Sequence, residues 1–117
     1  MAVNLVTVTT INRVVLYRGQ PSTGSATVYT APGSTDVKIT SFIFCNTTGN
    51  AATITLAVVN SGGSTGIDKQ IFSQQSIPAN STTVIDTVVY MNTGDFVTAL
   101  QGTASAITVT ISGETYA

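Results

Sequence analysis

The sequence predicts an all-β protein: an antiparallel β-sandwich, jelly-roll or immunoglobulin-like in topology, with about eight or nine strands and no substantial helix. Three observations lead there. Short runs of β-branched residues recur along the whole 117-residue chain. Clusters of Gly, Pro, Asn and Ser punctuate them, and no segment keeps a helical period long enough for a three-turn helix.

Taken in order, strands are expected near Val3 to Thr9, Asn12 to Tyr17, Ala26 to Thr30, Asp36 to Asn46 and Ala52 to Val59. Four more are expected near Lys69 to Ser73, Thr82 to Met91, Asp95 to Leu100 and Ala106 to Ser112. Residues 1–19 read as an N-terminal arm or edge strand that anchors the module, and residues 20–117 as the sandwich domain. In Thr53-Ile54-Thr55-Leu56-Ala57-Val58 the apolar Ile54, Leu56 and Val58 alternate with the residues between them, and Ile107, Val109 and Ile111 repeat the pattern. Side chains two apart share one face of a strand, so these strands have one dry face. The run from Val37 to Cys45 begins with the same alternation but turns apolar on both faces at Phe42 and Phe44, which asks for a second surface to cover the phenylalanines: a loop, the N-terminal arm or a neighbouring subunit. Ala31-Pro32-Gly33-Ser34, Asn46-Thr47-Thr48-Gly49-Asn50, Pro78-Ala79-Asn80-Ser81 and Asn92-Thr93-Gly94-Asp95 carry turn chemistry. The glycine-rich stretch from Asn60 to Gly66 reads as a mobile loop.

Composition narrows the function by exclusion. Hydrophobic residues make up 43% of the chain and charged residues only 8%, against about a quarter in an ordinary soluble domain. A surface dressed in Thr, Ser, Asn and Gly rather than charge suits a protein much of whose surface is covered in an assembly. The net charge of −1, with no Lys/Arg cluster, argues against nucleic acid as a partner. Arg13 and Arg18 precede every acidic residue and fit a solvated strand edge. No stretch approaches the length and apolarity of a membrane span, and the first residues lack the basic and apolar regions of a signal peptide, so neither a membrane nor secretion is expected.

No catalytic, cofactor-binding or metal site is expected. The chain has no histidine, and its five acidic and four basic residues are scattered, so no base stands near a nucleophile in sequence. Asp68 beside Lys69 is the nearest approach to a polar constellation and reads as a solvated pair. Cys45, the one cysteine, sits in the apolar run Phe42-Ile43-Phe44 and reads as a buried thiol; Asp86 and Asp95 are too few for calcium. Asn46-Thr47-Thr48 and Asn80-Ser81-Thr82 match the glycosylation acceptor pattern but lie where turn residues belong, and Tyr17, Tyr29, Tyr90 and Tyr116 read as half-buried strand residues.

Val28-Tyr29-Thr30-Ala31-Pro32-Gly33-Ser34-Thr35, then Ile39-Thr40-Ser41 and the run from Cys45 to Leu56, followed by Ser76-Ile77-Pro78-Ala79-Asn80-Ser81-Thr82 and Met91-Asn92-Thr93-Gly94-Asp95, resemble a pattern common in small bacteriophage and prophage virion proteins. The likeness spans Ala26 to Gly113 and consists of turn and strand chemistry. It implies a non-enzymatic virion structural protein without cofactors, assembled in the host bacterial cytoplasm: a capsid decoration or cement protein on the outside of a phage head. A tail, baseplate or fibre component, with a part in receptor binding, is the alternative. The partners implied are the major capsid protein or another virion protein and further copies of the chain, a trimer being consistent with the resemblance.

Overall fold

The computed structural model describes residues 10–117. Its strands are β1 (Ile11–Gly19), β2 (Ala26–Thr30), β3 (Asp36–Asn46), β4 (Ala52–Val59), β5 (Gln70–Ile77), β6 (Ser81–Met91), β7 (Phe96–Gln101) and β8 (Ile107–Tyr116), with a single 3-10 turn at Ile67–Lys69 before β5. They form two four-stranded antiparallel sheets, sheet I in the order β1-β8-β3-β6 and sheet II in the order β2-β7-β4-β5. Strand β1 pairs with β8, β2 with β7, β3 with β6 and β4 with β5, as if the chain were doubled about the β4–β5 connection and then rolled. The β3–β8 and β4–β7 ladders complete the two sheets. This order is that of a jelly roll, and it decides between the two topologies that alternation alone leaves open. The predicted strand at Val3 to Thr9 lies outside the described residues.

Phe42 and Phe44 are fully buried between the sheets, where their rings meet the edge of Phe72 from β5 at 5.1 and 5.4 Å. They share the one core with Val37 and Ile39, so no second surface is required, and the pattern that reads as apolar on both faces has a different cause. The β3 register shifts between Ile39 and Ser41 against both of its neighbours, leaving Thr40 as an extra residue. A bulge reverses the side-chain alternation, so Val37 and Ile39 point inward before it and Phe42 and Phe44 after it. Shifts at Leu16 in β1 and opposite Thr40 in β6 lie at the same level, so the irregularity crosses the whole of sheet I. Cys45 consequently turns outward and is half-buried, not sealed in the core.

Two strands run further than the sequence suggests. Strand β8 continues through Gly113 to Tyr116 because the glycine lies against the backbone of β3, where a Cβ would collide with the Lys38 carbonyl oxygen. Strand β5 continues through Ser73-Gln74-Gln75-Ser76, polar on both faces because the strand is an outer one with little cover. Gln74 has φ of 48°, and its N–H is taken up by Thr55 Oγ1 at 3.0 Å.

Two buried amides fix one end of the sandwich. Gln101 donates through Nε2 to the Pro21 carbonyl at 2.5 Å and accepts from the N–H groups of Ala106 and Ile107 at 3.2 and 2.7 Å. It thereby ties the β7–β8 connection to the β1–β2 connection. Asn46 donates to the carbonyls of Asn50 and Ile77 and accepts from the Thr48 N–H and hydroxyl, organising the β3–β4 turn. With its amide committed in this way and 1% exposed, Asn46 is a turn residue, as its place in the sequence suggests.

Candidate functional site

The polar residues weighed as chemistry do not converge. Lys69 Nζ donates to Asp68 Oδ2 at 3.1 Å on the surface, and this hydrogen bond and the lysine charge hold the Asp68 carboxyl below its ordinary range. Asp95 lies at one end of the sandwich as a tie, accepting from the N–H of Ser61 and of Asn92, each at 2.9 Å. Asp86 is exposed on β6, far from both in the sheet order. Among the described residues, no three His, Cys, Asp or Glu side chains gather as metal ligands do, and no helix is long and apolar enough to cross a membrane. Tyr17 and Tyr29 pack against the core and their hydroxyls are pushed up by burial, whereas Tyr90, 74% exposed and not half-buried as expected, lines one groove together with Tyr116.

What distinguishes the molecule is an inequality between its two outer faces. On sheet II the connection from Asn60 to Lys69 folds back over the strands. Ala57, Val59, Thr55 and Thr98 point away from the core yet are buried. The Thr65 and Thr98 hydroxyls bond at 3.0 Å, and the Ser61 N–H is held by Asp95, so the glycine-rich stretch read as mobile is fastened at two points. The dry face expected on one side of β4 is matched by a second one under the loop.

Sheet I has no such cover among the described residues. The outward residues of its central strands are mostly polar: Lys38, Ser41, Thr108, Thr110, Ser112 and Glu114. Glu114 gathers Arg13 (Nε to Oε2, 3.5 Å), Lys38 (4.0 Å) and the Tyr116 hydroxyl, which donates to Oε1 at 2.8 Å. That hydrogen bond, with partial burial, raises the Tyr116 hydroxyl above its ordinary value. A groove of about 530 Å³ opens beside the aligned bulges, lined in part by Arg13, Val15, Thr40 and Ser112.

The outer strands of sheet I differ from its centre. Of the eight large hydrophobic residues exposed among the described residues, Ile11, Val14 and Val15 belong to β1 and Val84, Val88 and Tyr90 to β6; only Ile67 and Ile71 lie elsewhere. These two strands are nine and eleven residues long, each an edge of its sheet among the described residues. In sheet II one edge, β2, has five residues, and the other, β5, loses register with β4 twice. Strands β1 and β6 carry one register shift each as well, so what sets them apart is their length and exposed apolar side chains, features that invite pairing with another chain. Sequence reasoning identified Arg13 and Arg18 as edge residues but missed the β6 surface. The doubled Val84-Ile85 and Val88-Val89, apolar on both faces of one strand, carried that signal.

No protein-family model and no curated protein matches the sequence. Among solved structures, the chain is similar to those of infectious bursal disease virus. The Gx strain structure matches at 9% identity and a TM-score of 0.48 over 92% of this chain and 31% of that one. The VP2 subviral particle matches at 13% identity and 0.46, again over 92% and 31%. The Gt strain structure matches at 10% identity and 0.41, over 93% and 32%. The chain thus spans about a third of the length of these structures.

Proposed function

We propose that this chain is a non-enzymatic structural subunit of a bacteriophage particle, a decoration or cement protein that binds the outside of the head and bridges neighbouring capsid subunits. The observation that carries the reading is the outer side of sheet I, uncovered among the described residues, long-edged and apolar at both margins, on a chain of which only 8% is charged. A protein that works by chemistry concentrates polar groups in a cleft; this one spends its exposed apolar side chains on two strand margins, the economy of a surface that meets protein. The sequence likeness to small phage virion modules from Ala26 to Gly113 supplies the particle as the setting. Many modest contacts repeated with the symmetry of a shell hold capsid subunits together through avidity, without any one contact being strong.

The test is the copy number of the protein in purified virions, by quantitative mass spectrometry against the major capsid protein. The reading requires a ratio near that of the capsid subunit. A few copies per particle would transfer the protein to the tail, baseplate or fibre, and absence from particles would defeat the virion assignment altogether.

A further inference from the structure

Among the described residues two charged side chains, Arg18 and Asp86, enter neither an ion pair nor a hydrogen bond; the remaining charged groups are engaged. Both face outward from sheet I, Arg18 on the β1 margin and Asp86 on the β6 margin, so one edge presents an uncommitted cation and the other an uncommitted anion. The same margins hold the exposed Ile11 (60%) and Val84 (55%) with their apolar neighbours, and Arg13, whose side chain is 91% exposed despite its contact with Glu114.

We propose that the β1 edge of one copy of this chain joins the β6 edge of a second copy, head to tail, extending sheet I across the contact. This rests on the reading of the chain as a subunit among subunits and names the surface through which copies meet. Strand direction suits it, and the ladder levels of sheet I set which residues meet. Because β1–β8, β8–β3 and β3–β6 are each antiparallel, β1 and β6 run in opposite directions. A second copy laid beside β6 in the same orientation therefore offers its β1 antiparallel. Across sheet I, Tyr90 is level with Lys38, Glu114 and Arg13; Asp86 with Ser41, Ser112 and Val15; Val84 with Ile43, Thr110 and Arg18. Continuing those levels into the second copy sets Arg13 of that copy against the Tyr90 ring, a cation facing an aromatic side chain. Val15 of that copy falls opposite Asp86, whose carboxylate lies diagonally between Arg13 and Arg18 of that copy, a spacing long side chains span. Beside them Val14 of that copy falls opposite Val89 and Tyr17 of that copy opposite Ile85, while Thr87 and Val88 bulge out between the levels of Val14 and Val15. A contact between two unlike edges either closes into a ring or runs on as a filament, unlike a twofold dimer that uses one patch twice.

The test is sedimentation analysis of the purified full chain and of two charge reversals, Asp86→Lys and Arg18→Asp. Both positions are exposed, and far-UV circular dichroism with a thermal melt establishes that each variant is folded. The wild type associates; each variant alone dissociates roughly tenfold or more readily, since each brings like charges together at the contact. An equimolar mixture recovers association, because the Asp86→Lys copy keeps an intact β1 edge and the Arg18→Asp copy an intact β6 edge. A wild type that stays monomeric at high concentration overturns the proposal, as does either variant alone associating as tightly as wild type, or a mixture no tighter than its components. These outcomes are separate from the virion copy number: a monomer present on particles at capsid ratio would sink the edge contact and leave the decoration role standing.

Discussion

Sheets I and II share one core and have four strands each, yet they meet the outside differently. Sheet II carries its own loop over the outward Ala57 and Val59, and one of its edge strands is short. Among the described residues, sheet I leaves its polar centre open and places apolar side chains along two long margins. One sheet is covered by a loop of its own, and the other has no such cover among the described residues. The difference does not arise in the core, which is continuous through Phe42, Phe44 and Phe72.

The same change made on both outer faces sharpens the contrast most. Ala57→Lys forces a charge under the sheet II loop and is expected to cost about 3–5 kcal/mol, the penalty of an uncompensated buried charge. Val84→Lys on sheet I is expected to stay within about 0.5 kcal/mol in urea unfolding, as substitutions on open surfaces do. Equal costs would erase the distinction between the faces. Next in size, Gln101→Leu strands the N–H groups of Ala106 and Ile107 and the Pro21 carbonyl, with an expected loss of about 1–3 kcal/mol by the same measurement. Because the clamp joins the connections at one end of both sheets, hydrogen exchange should quicken there and not at the turn from Asn92 to Asp95 at the opposite end.

The smallest effect is electrostatic. Tyr29 in sheet II is pushed above the ordinary value of 10.0 by burial, and Tyr116 in sheet I mainly by its bond to Glu114. In both the folded state holds the phenol proton more tightly than the unfolded chain. Their contribution is therefore complete below the ordinary tyrosine range and is lost as pH rises through the folded values. The melting temperature should fall above about pH 10, and less steeply in Tyr116→Phe. An unchanged slope in that variant would remove the Glu114 bond from the account.

How much of this was legible follows from the range of the interactions. Strands β2, β3 and β4 begin and end where the sequence predicts, because proline, glycine and asparagine turns bound them locally. Gly113 reads as a stop and sits inside a strand, since its requirement comes from the backbone of β3, more than seventy residues away. The Thr40 bulge was hidden for the same reason: a reversal of alternation looks, in one dimension, like a strand apolar on both faces. The surface was half legible. Arg13 and Arg18 announced an edge, but nothing in β6 by itself says that it is the opposite margin of the same sheet, which only strand order reveals.

The most direct measurement is amide hydrogen exchange of this protein in intact particles, read by mass spectrometry against the free chain at low concentration. The account expects slowed exchange in Ile11–Gly19 and Ser81–Met91, the margins of sheet I, with β2 and the loop over sheet II unchanged. Protection confined to sheet II, with the margins of sheet I exchanging as in the free chain, would contradict it.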